Sequence, residues 1–337
     1  MRRGRIITLV AVVVCVITGS IAAAPAGARA RNASTPPMEL TLLADGLQGS
    51  VGATIGPDGA LYVAEGELGQ ITRIDPTTGN ATTFATGLPP RVIPLGGAID
   101  VAFVGTTMYA LVTVVGPDVG GNSVDGIYRL EGSGSFTVFA DLGTWSAEHP
   151  PLTAFDLAMG VQFALQPVAD GFLVTDGHHN RVLHVSSAGE ITQRIQFQNI
   201  VPTGLAVTHG TVFMAEAGPV PHVPATGKVV SFPLNAAGPN AHDVASGFSL
   251  LVDVESGPDG ALYALSQGDS PGDVPPGSPA APDSGRLLLV NRNGSFSVLV
   301  DELDLPTSLD FVGGTAFVTT LNGEVWKITN VSRFIKQ

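Results

Sequence analysis

From residue 38 onward the chain keeps returning to one pattern: a short apolar run, a tight turn rich in Gly, Asp or Asn, and another apolar run. No stretch shows the three- and four-residue spacing of a helix face, and 42 glycines with 25 prolines punctuate the chain. The seven residues Gly56-Pro57-Asp58-Gly59-Ala60-Leu61-Tyr62 return unchanged as Gly257-Pro258-Asp259-Gly260-Ala261-Leu262-Tyr263, 201 positions later. That interval equals four units of about fifty residues, a period that suits propeller blades. Weaker copies of the apolar strand behind this turn begin at Leu61, Met108, Phe172, Val212, Leu262 and Ala316, which makes six units. Each copy follows a short Gly turn of the kind that joins antiparallel neighbours. A third strand follows in every unit, over residues 70–74, 126–130, 181–185, 227–232, 286–290 and 323–328. A fourth follows in the first five, over 80–85, 136–141, 190–197, 241–246 and 296–301, and the sixth unit ends without one. The lone run Glu39–Ala44 precedes the first unit and can supply the missing strand. Pairing it with the last unit would close a ring and remove two free sheet edges. The pattern predicts an all-β chain: a six-bladed β-propeller of four-stranded antiparallel blades over 38–330, closed by an N-terminal strand pairing with the C-terminal blade.

The first thirty residues have another character. Arg2, Arg3 and Arg5 precede an apolar run from Ile6 to Ile21, and small residues follow at 22–24 and 26–28. This is the layout of a secretory signal peptide over 1–30, with 31–37 as a linker and 331–337 as a tail. The expected location is therefore secreted, with no membrane span in the mature chain. Cys15 is the only cysteine and lies in the leader, so the mature domain is expected to rest on its core rather than on disulfides. Removing the leader takes four arginines and moves the formal charge from -13 to -17. Such a chain repels phosphate backbones, so nucleic acid is not an expected partner. A monomer is expected.

Two segments carry a resemblance. Asp176-Gly177-His178-His179-Asn180-Arg181-Val182 resembles the Asp-x-x-Asn-Arg-Val core of NHL-type repeats. Pro202-Thr203-Gly204-Leu205-Ala206-Val207 is similar to the first strand of those repeats and of the SMP-30/gluconolactonase group. With the leader, the Leu61-Tyr62-Val63-Ala64-Glu65 strand and a Pro-rich insertion late in the chain, residues 38–330 as a whole resemble the secreted ScyD/ScyE family of bacterial propellers. That resemblance implies the fold and no settled activity. The gluconolactonase group would imply a divalent cation at the top of the channel and lactone hydrolysis, but its ligand positions hold other residues here. The carboxylate of its Glu-Gly-Pro has no counterpart in Gly52-Ala53-Thr54-Ile55, and the asparagine of its Pro-Asn-Gly is Thr203. A later aspartate ligand would fall near Val252, one position from Asp253. The same chemistry is not expected from that set.

In a propeller the links after strands two and four open on one face. Here those links include the long ones, 88–97, 114–125, 143–158, 217–226 and 267–284, and the last, with five prolines, is expected to be extended and without core residues. Candidate ligand-binding residues on this loop-rich face are Asp176, His178, His179, Glu216 and Trp145. An imidazole beside carboxylates can serve as base or metal ligand, and an indole can stack on a ligand. A plain polar turn at His178-His179 is the competing reading. Aligning the first strands puts Asp100 and Asp253 where Gly52, Gly160 and Gly204 sit elsewhere, with Glu255 and Asp310 two positions on. These four acids are the candidate channel metal ligands, and hard oxygen donors of this kind suit Ca²⁺. Relief by water and backbone donors is the alternative. The expectation is an exported propeller that binds a small molecule or partner protein through the loop-rich face without catalysis. A divalent-cation-dependent hydrolase or lyase acting at the channel mouth is the alternative.

Overall fold

The computed structural model describes residues 37–331, apart from 133, 236–240, 273, 276 and 277, so the expected leader, and the expected tail beyond Val331, lie outside the described residues. Six antiparallel sheets of four strands each follow one another along the chain. Their first, innermost strands are Ser50–Ile55, Gly97–Val104, Gln162–Val168, Pro202–Thr208, Leu251–Ser256 and Pro306–Val312, which define blades 1 to 6. Glu39–Ala44 is the outer strand of blade 6, with Glu39 opposite Thr329 and Leu42 opposite Trp326. Leu47 N–H adds a bond to Gly323 O at 3.1 Å, so the ring is sealed by the N-terminal strand.

The second strands are buried on both faces. Leu61–Glu65 and Gly171–Asp176 contain no exposed residue, which is why they read as unbroken apolar runs instead of alternating ones. Outer strands such as Ala81–Thr86 are mostly exposed. Apolar side chains are wedged between adjacent blades: Tyr62, Ile71, Val101 and Met108 between blades 1 and 2, Tyr263, Leu265, Leu309 and Val318 between blades 5 and 6. Each fully buried aliphatic side chain contributes about 1.5–3 kcal/mol, so stability is spread around the ring.

The repeated heptapeptide is a structural device. Gly56 N–H bonds Ala60 O at 2.8 Å, Asp58 Oδ1 accepts Ala60 N–H at 3.2 Å, and Gly59 sits at φ +77. The Tyr62 ring lies so close over Gly56 that a Cβ there would overlap it, and Tyr263 covers Gly257 in the same way.

Two links differ from expectation. The link after the fourth strand of blade 2 opens with a helix, Leu142–Glu148, whose first turn is capped by Asp141 accepting Thr144 N–H at 2.8 Å. Two helical turns are too short to display a periodicity, so the pattern alone reads as loop. The Pro-rich link 267–284 also contributes a core residue: Ala280 is buried with Val201, Ala217 and Leu250. Ala280 N–H bonds Gln267 Oε1 at 3.0 Å and Ala281 N–H bonds Asp269 O at 2.9 Å, folding the link back on itself.

Candidate functional site

Every first strand shifts register against its neighbour near its start, the mark of a β-bulge. At the bulge a side chain turns toward the next blade. Asp100 accepts Val101 N–H at 2.8 Å and, across the blade boundary, Leu165 N–H at 2.7 Å. Asp253 accepts Val254 N–H at 2.9 Å and Leu309 N–H at 2.8 Å in the same manner. Ser308 Oγ takes Ala53 N–H at 3.1 Å, joining blade 6 to blade 1. In blades 1 and 4 the position is Gly52 and Gly204, where a Cβ would overlap Asp100 Oδ1 and Asp253 Oδ1. In blade 3 it is Ala164; Gly160, aligned there from the sequence, lies ahead of the strand at φ +79.

Two residues further along these strands stand Thr54, Ala102, Gln166, Ala206, Glu255 and Asp310, and together with the aspartates they line a channel cavity of about 310 Å³. The structure thus brings Asp100, Asp253, Glu255 and Asp310 to one space, and no Lys, Arg or His among the described residues lines it. Burial raises the Asp100 carboxyl to about 8 against the pull of its two N–H donors, and raises Asp253 for the same reason. Glu255 and Asp310 are pushed well above the carboxylate range, first by burial and then by the neighbouring acids. Asp310 Oδ2 is buried without a hydrogen-bond partner. Phe163 packs against the clusters of blades 2–3, 3–4 and 5–6, so its ring reaches across the channel. The cavity extends from there to Ile55 and Ser256, the last residues of their strands, and a second opening of about 440 Å³ shares Gln166, Pro167 and Val207 with it. The acidic cavity therefore faces the short turns, away from the long links.

On the loop-rich face Asp176 and His179 lie beneath the surface. Arg181 Nε meets Asp176 Oδ2 at 2.9 Å, Arg181 Nη1 donates to His149 O at 2.6 Å, and Arg181 Nη2 stands 2.9 Å from His179 Nδ1. His179 Nε2 lies 2.9 Å from Leu157 O, and its Nδ1 lies 3.0 Å from Asp176 Oδ2. All three side chains are buried, and their bonds to His149 and Leu157 pin the 142–161 link to blade 3. Trp145, half-buried, is stacked by His149 at 4.3 Å and approached by the Arg181 guanidinium at 5.0 Å. His178, whose pKa burial lowers, faces a pocket of about 120 Å³ with Phe155, Asp156, Asn180, Asn199 and Val220. Glu216 is buried in blade 4, apart from this group, and burial raises it to about 7.

The loop-rich face also carries apolar side chains that are not among the candidate residues. Leu68, Val92, Ile93, Leu152, Phe155 and Val223 stand exposed on the links of the loop-rich face, Leu152 at 99%. The signal was available in Pro150-Pro151-Leu152, a large apolar residue at the tip of a Pro-bearing link.

No family model matches the chain, and no curated protein matches it by sequence. Solved structures do match. A gluconolactonase of Xanthomonas campestris superposes with a TM-score of 0.58 at 12% identity, over 87% of this chain and 89% of that one. The fold is shared with gluconolactonases. A PQQ-bound aldose sugar dehydrogenase of Streptomyces coelicolor gives 0.56 at 13% identity, over 87% and 98%. Virginiamycin B lyase of Staphylococcus aureus gives 0.52 at 12%, again over 87% and 98%. At such identities the likeness is one of fold.

The residues at hand do not suit the cation of the gluconolactonase resemblance. Thr203 Oγ1 is committed to Ala215 O at 3.0 Å and Leu251 O at 2.8 Å, and Asp253 is committed to backbone N–H groups. Among the described residues no three His, Cys, Asp or Glu side chains form a group that could hold a metal ion, the four channel acids included.

Proposed function

We propose that this is a secreted propeller, of the ScyD/ScyE kind, that binds a partner protein through its loop-rich face without chemistry of its own. The observation that carries the reading is Leu152: a fully exposed leucine on a link anchored by the buried Asp176, His179 and Arg181 network. Apolar side chains displayed on a fixed loop suit a protein interface, where rigid anchors lose little entropy on binding. The pocket beside His178, at about 120 Å³, is smaller than the roughly 300–1,000 Å³ that drug-sized ligands occupy, which favours a partner surface over a small molecule.

A photo-crosslinking residue at position 152, with one at Val138 on an outer strand as control, tests this in the secreted fraction of the producing cell. A discrete adduct from 152 alone is expected. Adducts from neither site, or equally from both, would remove the proposal.

The second reading is a cation-dependent hydrolase or lyase, favoured by the shared fold of gluconolactonase and virginiamycin B lyase. Thr203 and Asp253, both committed to backbone partners, weigh against it. Lactone hydrolysis that starts on adding Ca²⁺ and stops with chelator would restore it.

A further inference from the structure

The four channel acids divide into two kinds. Asp100 and Asp253 spend their oxygens on backbone N–H groups at 2.7–2.9 Å, so they serve the joints between blades. Glu255 accepts only a 3.3 Å bond from Ser256 N–H, and Asp310 Oδ2 is buried without a partner, although Ile55 N–H and the Ser308 hydroxyl stand close enough to its carboxyl to favour the charged form. These two occupy equivalent positions in neighbouring blades 5 and 6, while Thr54, Ala102, Gln166 and Ala206 hold that position in the other four. One side of the cavity therefore carries two carboxyl groups with few partners, where the other four blades hold uncharged side chains. Carboxylates placed so are unfavourable unless a positive group joins them.

A metal ion needs several oxygens converging on one point, and no three such side chains form a metal-holding group among the described residues. An ammonium group asks less, because each N–H needs a single oxygen at roughly 2.7–2.9 Å. An amine with two or more nitrogens can meet Glu255 and Asp310 separately. The cavity, about 310 Å³, lies at the lower end of small-molecule sites. Phe163 crosses the channel on the loop-rich side, and the opening that shares Gln166, Pro167 and Val207 leads in from the short turns. A formal charge of -13 raises the local concentration of cations.

We propose that the channel cavity binds a small aliphatic di- or polyamine, entering from the short-turn face and held by Glu255 and Asp310. This site is independent of the partner surface on the opposite face.

Calorimetric titration of spermidine into the full chain tests it, at pH 8 and about 0.15 M salt to screen surface charge. One saturable site is expected, weakened at least tenfold in Glu255→Gln with Asp310→Asn and unchanged in Leu152→Asp. The substitutions are close in shape to the originals, and the titration of the unaltered protein stands even if they fold poorly. No saturable binding to the unaltered protein overturns the proposal. So does equal binding to the double variant, which would place spermidine on surface acids. Saturable Ca²⁺ binding lost in the same variant overturns it in favour of a metal.

Discussion

Arg181 is only 1% exposed, and its guanidinium is divided among Asp176, His149 O and His179. Removing one partner of a buried ion pair typically costs about 3–5 kcal/mol, because the other charge is left without solvent or counter-ion. Arg181→Met is therefore expected to lower urea stability by about that amount. Its 142–161 link should become a site of rapid proteolysis, since that link is tied down through His149 O and Leu157 O. An unchanged cleavage rate would show that the network does not hold the link. A second residue-scale effect concerns Gly204, where a Cβ would overlap Asp253. Asp253 cannot retreat without giving up Leu309 N–H, so Gly204→Ala is expected to cost roughly 1–3 kcal/mol by overpacking. In the background of Asp253→Ala the same change should cost less without becoming free, because the Asp253 Cα also lies 2.6 Å from the added Cβ, and a double-mutant cycle in denaturant measures the difference. Additive losses would mean that the clash is with the Asp253 backbone alone and that its carboxylate takes no part.

The element on which the ring depends is Glu39–Ala44. Without it the strand Val325–Thr329 becomes a free edge with unpaired backbone groups on one side. Deleting residues through 44 is expected to lower the melting temperature and shift the protein to larger species in size-exclusion chromatography. A truncated chain that stays monomeric with its melting point intact would show that the seal is dispensable. This strand was legible in sequence because it is the one apolar run without a hairpin partner nearby, in a chain whose sixth unit is one strand short. The second strands were legible because burial on both faces confines their polar residues to the strand ends. The channel acids could be grouped because the turn behind each first strand fixes the alignment, although Gly160 was misplaced: it precedes the strand, and counting back from the turn reaches Ala164 instead. Depth could not be read in this way. Asp176 and His179 are buried because a link from another blade folds over them, and local sequence carries no sign of that cover. The same holds for Ala280, a small residue among prolines that is buried only because its link doubles back.

At the scale of the whole molecule, the acids that matter for stability are inside. Burial raises Asp100 from 3.8 to about 8, Asp125 from 3.8 to about 7 and Glu216 from 4.5 to about 7, and it pushes Glu255 and Asp310 well above their ordinary values. In the unfolded chain these carboxyls give up their protons near their ordinary values, whereas the folded protein holds them several units longer. Between roughly pH 4 and 8 the folded state therefore binds more protons, and the stability these groups confer, complete below pH 4, is lost as pH rises through 7 and 8. His178 and His222 act in the opposite sense: burial lowers both below 6.5, so their contribution is present above that value and fades as pH falls. The carboxyls outnumber the imidazoles, so the urea midpoint is expected to decline steadily from pH 6 to pH 9. Glu255→Gln with Asp310→Asn should flatten that decline by removing two of the groups that must ionise inside the channel. Saturating spermidine should flatten it as well, because an ammonium beside each carboxylate lets it ionise without penalty. A midpoint that climbs over this range in the amine-free protein would mean that water alone is enough to solvate the channel acids, and the case for a cationic ligand would go with it.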